Sequence, residues 1–420
     1  MSKLRAVKGM NDWLPADARR HRVLEDTFRR VAGIYGYGEV RTPLVEPTPL
    51  FVRSIGEVTD IVEKEMYTFE DKGGKTLTLR PEGTASCVRA YLQHNVQASG
   101  PVTKWFYSGP MYRRERPAKG RYRQFHQVGC ELYGDAGPFG DAELIDLAHR
   151  FLTELGIEGP RVLLNSLGSG DTRQRYRDAL LAFLKPRAAE LSEDSQRRLE
   201  RNPLRVLDSK APQDQEVSAD APSILEFLSQ DDQTHFDDLR RTLDQLKTPY
   251  EVQPRLVRGL DYYTRTLFEL KGGSADLGSQ DTLCGGGRYD GMVEQLGGPP
   301  TPAIGFAMGV ERLLLSMAEG DPSAGCDAFL VVTPAQRQLA VGVLSQLRKG
   351  GLRVDSDLRG GSLKSQFRRA DKSGAPFALV LGDDEASAGT LQVKDLREGT
   401  QTAVAVSATA SHVLENLKAP

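Results

Sequence analysis

The sequence of 420 residues predicts an α+β fold, in which an antiparallel sheet with flanking helices carries a helical insertion and precedes a small α/β domain. Three observations support this prediction. Several β-prone runs come before the first alternation of strands and helices, which favours an antiparallel sheet over a doubly wound one. Residues 171–248 have the pattern of helices, and strand and helix patterns alternate over residues 327–420.

The first domain is expected at residues 1–170 and 249–320, and it begins with an amphipathic helix. Leu24, Phe28 and Val31 recur at helical spacing within residues 17–35, with charged residues between them. A β-prone run at 37–41 is followed by Pro43, which cannot donate a hydrogen bond to a sheet. Further β-prone runs lie at 75–80, 103–107, 127–133, 161–165 and 266–271, and a strand pattern resumes at Tyr250.

The insertion and the last domain have different patterns. Within 171–248, Tyr176 and Leu180 belong to one apolar helical face, and Phe236 and Leu239 belong to another. Residues 319–325 have the composition of a linker. After them, strands are predicted at 328–333, 352–355, 377–381 and 391–395, and helices at 336–349, 363–372 and 408–417. This alternation is typical of a small α/β domain.

The composition of the chain excludes several classes of protein. With 39% hydrophobic and 27% charged residues, the chain has the balance of a soluble globular protein. No run approaches the roughly 18 apolar residues of a membrane span, and the start lacks the apolar core of a secretory signal. The four cysteines are far apart, which predicts reduced thiols in a cytoplasmic protein and neither disulfides nor a zinc site. A net charge of -2 argues against bulk-charge coating of nucleic acid but allows a local basic patch.

The segment richest in candidate chemistry is 112–129, where five arginines and one lysine fall within residues 113–123. If two strands flank a turn here, Arg121, Arg123 and Phe125 share a face, as do Arg113 and Glu115, because side chains two apart point the same way. Guanidinium groups on one face suit a polyphosphate, and Phe125 offers a surface for a flat base. Taken alone, such a segment is more often a solvated charged hairpin.

Four further segments are candidates. Residues 79–84 (LRPEGT) predict a turn that presents Glu82 and Thr84. Residues 303–315 (AIGFAMGVERLLL) place Arg312 in an apolar run, where an unpaired charge is costly. Residues 284–291 (CGGGRYDG) predict a glycine-rich turn at 285–287 that can approach a ligand closely, without the spacing of a Walker or GxGxxG loop. Residues 256–264 (LVRGLDYYT) group Arg258, Asp261, Tyr262 and Tyr263 around a glycine. Taken singly, each is also typical of an ordinary loop, strand end or packed helix.

Together, these segments resemble the signature motifs of the class II aminoacyl-tRNA synthetases. Residues 37–43 resemble motif 1, residues 106–131 resemble motif 2, and residues 303–315 resemble motif 3. Residues 256–263 and 285–290 resemble two segments peculiar to the histidine enzymes of that class. The resemblance runs from residue 8 to about residue 418 with the five motifs in the family's order, so it implies the class II catalytic domain and an anticodon-binding domain.

The resemblance implies ATP, accompanied by Mg²⁺ without an assigned protein ligand, and L-histidine as ligands. Arg113 would hold the α-phosphate, and Arg258 would bridge it to the carboxylate of histidine; these two are the implied catalytic residues. The implied ATP-binding residues are Arg113, Glu115, Arg121, Arg123, Phe125 and Arg312, with adenine between Phe125 and Arg312. The implied histidine-binding residues are Glu82, Thr84 and Gln127 for the amino group, and Glu131, Tyr263 and Tyr262 for the imidazole.

These implied roles agree with the chemistry of amino-acid activation. Attack of a carboxylate on a phosphate brings anions together, and fixed cations stabilise the charge that builds up. No general base is required, because the nucleophile is already ionised. A buried carboxylate and phenol arranged for two ring nitrogens would reject other side chains by about 10⁴-fold or more, so no editing domain is expected.

The implied partners are tRNA(His) and a second copy of the chain, bound through motif 1. The motif 2 loop and the helical insertion would approach the acceptor end of the tRNA. Lys364, Arg368 and Lys372 share one face of a predicted helix and would contact phosphates, although ordinary surface helices have the same pattern. The alternative function is a catalytically silent, histidine-sensing regulatory paralogue of a histidine-biosynthesis enzyme. Such chains usually lack the C-terminal domain and have degraded motifs.

Overall fold

The computed structural model describes residues 3–56, 59, 61–258, 262–272, 281–318 and 325–417, apart from the side chains of Glu200 and Arg201. The chain divides into two compact units, Met1–Ala318 and Glu319–Pro420. Asp261 of the candidate segment 256–264 and most of the predicted linker lie outside the described residues. No helix of the described part is long and apolar enough to cross a membrane.

The first unit is built on one large sheet and one small one. The strands in chain order are β1 (Gly38–Glu39), β2 (Val45–Pro47), β3 (Tyr67–Glu70), β4 (Thr76–Leu79), β5 (Thr103–Tyr112), β6 (Gln124–Tyr133), β7 (Arg161–Ser166), β8 (Tyr250–Val252), β9 (Thr264–Lys271), β10 (Thr282–Arg288) and β11 (Ala303–Gly309). The large sheet has the order β1-β5-β6-β11-β10-β9-β7-β8, and β2-β4-β3 form the small one. In the large sheet, the two edge pairs (β1 with β5 and β7 with β8) are parallel, and all the pairs between them are antiparallel. The predicted antiparallel α+β fold is confirmed.

Helices cover one face of the large sheet. The helices of this unit are α1 (Pro15–Ile34), α2 (Thr48–Ile55), α3 (Thr84–Gln93), α4 (Pro138–Glu154), α5 (Thr172–Leu184), α6 (Glu193–Arg201), α7 (Pro212–Val217), α8 (Gln230–Leu246), α9 (Met292–Gln295) and α10 (Val310–Ser316). Phe28 of α1 and Leu144 of α4 are fully buried against Val128 and Phe306 of the sheet. Because side chains alternate along a strand, the residues next to Val128 and Phe306 point to the opposite face, away from this core.

The described elements between β7 and β8 are helical, as the sequence predicts. Tyr176 and Leu180 of α5 form a separate apolar cluster with Leu199 and Leu204. Phe236 of α8 instead joins the main core, where α8 packs against α4. We therefore retain 171–248 as a proposed insertion domain whose last helix is held by the catalytic sheet.

The second unit is an α/β domain with a five-stranded sheet of order β13-β12-β14-β15-β16. Its elements are β12 (Ala328–Val332), α11 (Arg337–Lys349), β13 (Val354–Ser356), α12 (Leu363–Ser373), β14 (Phe377–Leu381), α13 (Asp383–Ala388), β15 (Thr390–Asp395), β16 (Gln401–Ala405) and α14 (Val406–Leu417). The predicted strands and helices are confirmed. The sequence did not predict α13 and β16, because α13 is one short polar helix and β16 is an exposed edge strand without an apolar pattern.

Two local predictions are wrong. The glycines at 285–287 do not form a turn but lie within β10, between β9 and β11. Residues 113–123 do not extend the strand pair, because the β5–β6 ladder ends at Tyr112 and Gln124. Beyond it, the Arg113 backbone N–H donates to the carbonyl of Arg123 at 2.9 Å, and an isolated bridge joins Ala118 to Arg121. Strand alternation therefore does not apply to Arg121 and Arg123, and their expected shared face is not formed.

Candidate active site

A cavity of about 530 Å³ lies on the face of the large sheet opposite the main core. The strands at its centre carry glycine or alanine where side chains would fill it. Gly129 of β6 pairs with Ala307 of β11, and Ala307 pairs with Gly285 of β10, so all three lie on one face. Gly305 and Gly287 continue the same row. The alternation of small and large residues along β6, β10 and β11 thus creates both the core and the cavity.

The predicted site residues are brought together in this cavity. Its lining includes Glu82, Thr84, Arg113, Glu115, Arg121, Phe125, Gln127, Arg258, Tyr262, Tyr263 and Arg312. Glu131 lies next to the lining residue Gly305. Its carboxylate occupies the space that a Cβ atom on Gly305 would need. Only Arg123 of the predicted residues lies elsewhere.

A buried hydrogen-bond network surrounds Glu131. Its carboxylate accepts hydrogen bonds from the Thr84 hydroxyl at 2.7 Å and from the Tyr289 hydroxyl. Glu82 accepts the backbone N–H groups of Thr84 (2.7 Å) and Ala85 (2.9 Å), which begin α3. Both carboxylates are almost fully buried. The turn at 79–84 and strand β6 therefore place two acidic groups at one wall of the cavity.

Amide and phenol groups complete that wall. The Gln127 side chain is 9% exposed, and its Oε1 has no hydrogen-bond partner among the described residues. The rings of Tyr262 and Tyr263 contact each other at 4.6 Å between centroids, and Tyr262 also contacts Tyr289 at 5.8 Å. An acceptor without a partner at a cavity wall suits a ligand that donates hydrogen bonds, such as an ammonium group.

The residues of the 112–129 segment form a second, cationic wall. The Arg113 guanidinium donates to the carbonyl oxygen of Pro81 at 2.9 Å and lies 5.3 Å from the centre of the Phe125 ring. Glu115 forms an ion pair with Arg121. Burial raises the pKa of Glu115, and the charges of Arg121 and Arg113 oppose that rise.

Arg123 is outside the cavity. Its Nε donates to the backbone oxygen of Glu115 at 3.1 Å, and its backbone N–H donates to the carbonyl of Gly9 at 2.7 Å. The side chain thus stabilises the loop between β5 and β6 through the backbone of Glu115. Its implied contact with an outer phosphate stays a prediction, and in this position Arg123 orders the loop and does not line the cavity.

Arg258 enters the cavity from the residues preceding β9. It forms an ion pair with Glu269, and Glu269 also accepts the Thr282 hydroxyl at 3.0 Å. A Cβ atom on Gly285 would collide with the Arg258 guanidinium, so the glycine makes room for this cation. The glycine run therefore has the close-approach role expected of it, although it acts from a strand.

Arg312 stands at the start of α10, where its Nη1 donates to the carbonyl of Thr282 at 3.2 Å. The preceding residue, Glu311, accepts the backbone N–H of His126 at 2.9 and 3.0 Å. His126 follows Phe125 in the sequence. This bond therefore ties the two segments that carry Phe125 and Arg312.

The lining residues that were not predicted individually include Tyr289 and Glu269. Tyr289 lines the cavity and donates to Glu131, and Glu269 lines it and holds Arg258. Tyr289 lies within the glycine-rich segment 284–291 that the sequence singled out, so that segment was a usable signal. Glu269 lies between the buried Phe268 and Leu270 in β9, where a buried charge indicates a partner.

A pH dependence of stability follows from Glu131. Burial raises the pKa of its carboxyl from 4.5 to about 8, against the lowering effect of its hydrogen bonds from Tyr289 and Thr84. Between these values the folded state keeps a proton that the unfolded state has released. The stability conferred by this proton is therefore fully present below the unfolded-state pKa of 4.5. It is lost as the pH rises through the folded-state pKa of about 8.

The measurement is the free energy of unfolding in urea for the wild type and Glu131→Gln, whose amide does not titrate. The wild type should lose about 2–3 kcal/mol relative to the variant between about pH 5.5 and about pH 7.5. The same dependence in both proteins would contradict the raised pKa.

Comparison with known proteins agrees with this geometry. The family model described as histidyl-tRNA synthetase matches residues 9–313, and the model of an anticodon binding domain matches residues 328–416. The antiparallel sheet with its cavity and the separate α/β domain are those of a class II aminoacyl-tRNA synthetase. Within that class, the chain belongs to the histidyl-tRNA synthetase family.

Individual relatives match over nearly the whole chain. A Histidine--tRNA ligase of Sorangium cellulosum (strain So ce56) is 58% identical over 395 residues, covering 94% of this chain and 92% of the relative. The crystal structure of apo S. aureus histidyl-tRNA synthetase superposes with a TM-score of 0.81 at 36% identity, covering 98% of this chain and 100% of that one. An ATP phosphoribosyltransferase regulatory subunit/histidyl-tRNA synthetase from Bacillus halodurans C shares the fold, with a TM-score of 0.68 at 22% identity over 91% of this chain and 99% of that one.

Proposed function

We propose that the protein uses ATP to activate L-histidine as histidyl-adenylate, releasing pyrophosphate, and then transfers histidine to the 3′ end of tRNA(His). One observation carries this proposal. A single cavity combines four arginines with a wall of carboxyl, amide and phenol groups. Such a cavity has room for a polyphosphate beside a small ligand that carries an ammonium group and polar ring nitrogens.

In this proposal, the cationic wall binds ATP. Arg113 holds the α-phosphate, and Arg121 holds an outer phosphate. Phe125 and Arg312 take the two faces of adenine, and Glu115 accepts its amino group. The bond between Glu311 and the backbone of His126 supports this arrangement, because it connects the segments that carry Phe125 and Arg312.

The opposite chemical character of the other wall supports histidine as the second ligand. Glu82, Thr84 and Gln127 receive the amino group, and the free Oε1 of Gln127 fits that role. The imidazole lies between Glu131 and Tyr263, with Tyr262 beside it. An amino acid without ring nitrogens would leave these buried groups without partners, which is a strong basis for rejection.

The reaction proposed is attack of the histidine carboxylate on the α-phosphate of ATP. The bond from carboxylate oxygen to phosphorus forms while the bond to the pyrophosphate oxygen breaks. Arg113 and Arg258 stabilise the charge on the phosphorus oxygens, and Glu269 holds Arg258 in place beforehand. No proton has to be removed from the nucleophile.

Magnesium bound to ATP would be held by Asp208 and Glu269. Both carboxylates line the cavity. Burial and the negative charge of Glu269 raise the pKa of Asp208, as expected for two carboxylates that line one cavity. Oxygen donors of this kind are the set that Mg²⁺ prefers, and a bound ion neutralises phosphate charge.

ATP–pyrophosphate exchange tests the proposal with each of the twenty amino acids in turn. Exchange should require histidine and should be at least about 10³-fold weaker with the other amino acids. A regulatory paralogue would bind histidine without exchange. That alternative is not favoured, since the chain retains the matched C-terminal domain and the cavity arginines. Histidine binding without exchange would overturn the enzymatic proposal.

We also propose that one face of α12 contacts tRNA phosphates. Lys364, Arg368 and Lys372 are all exposed on this helix. The double variant Lys364→Glu/Arg368→Glu should weaken tRNA binding and reduce its salt dependence by about one to two units of log Kd per log salt. It should leave ATP–pyrophosphate exchange unchanged.

Filter binding over a salt series measures this effect, and Lys349→Glu, an exposed change on α11, is the matched control. If the double variant bound tRNA with the affinity and the salt dependence of the wild type, this face of α12 would not be part of the tRNA-binding surface.

The homodimer and the cytoplasmic location are further proposals. The parallel edge strand β1, which corresponds to motif 1, supports the homodimer because it leaves backbone groups at the sheet edge. The four cysteines are free and buried, as suits a reducing compartment. Sedimentation equilibrium at micromolar concentration tests the dimer, and a monomeric mass would contradict it.

A further inference from the structure

Three side chains form a cluster to which the proposed reaction assigns no chemical role, although one of them, Glu311, also lines the cavity. His21 of α1, His126 of β6 and Glu311 of α10 each offer one nitrogen or oxygen atom, and the three atoms lie within 4.8 Å of one another. The side chains are 5%, 17% and 10% exposed. We call these three residues the His–His–Glu cluster.

The two ring nitrogens of His21 differ: Nδ1 lies near a carboxylate, and Nε2 has no hydrogen-bond partner among the described residues. Its Nδ1 lies 3.6 Å from Glu25 Oε1, and that oxygen also accepts the Ser108 hydroxyl at 3.0 Å. Its buried Nε2 has no hydrogen-bond partner among the described residues. A carboxylate behind one imidazole nitrogen is the usual arrangement when the other nitrogen binds a metal.

The other two members are fixed by their surroundings. His126 Nδ1 lies 3.2 Å from Glu311 Oε1, and the His126 backbone N–H holds the same carboxylate. The Trp13 ring packs on both imidazoles, at 3.5 Å from the centroid of His21 and 4.3 Å from that of His126. The two imidazoles are nearly perpendicular, at 84°. Their positions are therefore set before any ion arrives.

We propose that the His–His–Glu cluster is a binding site for a transition-metal ion of the Zn²⁺ type. Two imidazoles and one carboxylate are a donor set of zinc and its analogues, whereas Mg²⁺ and Ca²⁺ select oxygen ligands. Zinc with bonds of about 2.1 Å brings tetrahedral ligands to about 3.4 Å from one another. Since the three atoms lie within 4.8 Å of one another, no pair has to close by more than about 1.4 Å.

A fourth position is accessible to water. A cavity of about 610 Å³, lined by Trp13 and Glu311 among others, opens beside the cluster. Because His126 and Glu311 adjoin Phe125 and Arg312 in sequence, an ion here would fix the backbone beside the proposed adenine site. The sequence could not indicate this site, because its ligands are far apart along the chain and lack a metal-binding spacing.

Cobalt titration of the untagged, chelator-treated protein tests the site without any substrate. The wild type and the control His94→Gln, an exposed change, should each bind one equivalent of Co²⁺ with visible d–d absorption. His21→Gln and His126→Gln should bind at least about tenfold more weakly. Zn²⁺ should raise the unfolding temperature of the wild type and the control but not of the two variants.

Three outcomes would overturn the proposal. One is no saturable absorption in the wild type, and a second is unchanged binding in His21→Gln and His126→Gln. The third is an intense thiolate-to-cobalt band, which would place the ion on a cysteine. Circular dichroism identifies a variant that has unfolded, and Glu311→Gln then replaces it with the same expectation. The result is independent of the proposed aminoacylation, since the readout is metal binding.

Discussion

Replacing Arg258 by alanine should lower histidine-dependent ATP–pyrophosphate exchange by about 10³-fold. Arg258 is a fixed cation in the cavity, held by Glu269 and given room by Gly285. In the proposed reaction it lies where two anions meet, so its loss raises the barrier to adenylate formation. The effect should appear in kcat more than in the KM for ATP, because the charge it stabilises develops in the transition state.

Arg255→Ala is the matched control. Arg255 is exposed, lies in the same connecting segment and donates to the carbonyl of Ala219. Exchange by this control should stay within about twofold of the wild type, as expected for a surface substitution. If exchange by a folded Arg258→Ala protein fell by less than about tenfold, Arg258 would not have the proposed catalytic role.

The second large effect concerns Glu131. Glu131→Ala should raise the histidine KM by about 100-fold or more and change the ATP KM by less than about threefold. The carboxylate is fully buried and is held by Thr84 and Tyr289. Its removal would leave an imidazole N–H without a partner, and it would not alter the cationic wall.

Steady-state kinetics with each substrate varied in turn measures this split. Glu131→Gln preserves the volume and separates the loss of the carboxylate from the opening of a cavity. It should also raise the histidine KM selectively. Equal increases in both KM values would place Glu131 outside the imidazole site.

Much of the fold follows from local patterns. The spacing of Leu24, Phe28 and Val31 predicted α1, and all three are fully buried in the structure. The alternation after residue 327 predicted the second unit. These patterns are reliable because a helix or strand buries one face, and the period of the apolar residues records which face that is.

The errors have a common cause. Consecutive glycines at 285–287 predicted a turn, since glycine weakens strands. In the structure, neighbouring strands on both sides supply the ladder, and the lack of side chains gives room to Arg258 and Phe268. Arg123 was expected beside Arg121 because strand alternation was extended past the end of the strand pair. Both outcomes depend on contacts with distant segments, which no local pattern contains.

The helix and strand patterns were enough to predict the α+β class, and the order of the motifs was enough to predict the family. The motifs also named eleven of the residues that line the cavity, because each motif carries its own chemistry. Only the tertiary structure decided that Tyr289 and Thr84 share the carboxylate of Glu131, that Glu269 holds Arg258, and that His21 meets His126 and Glu311. The partners in these contacts are between 11 and 290 residues apart along the chain. Strand order and helix packing bring them together, and side-chain spacing along the sequence does not record that arrangement.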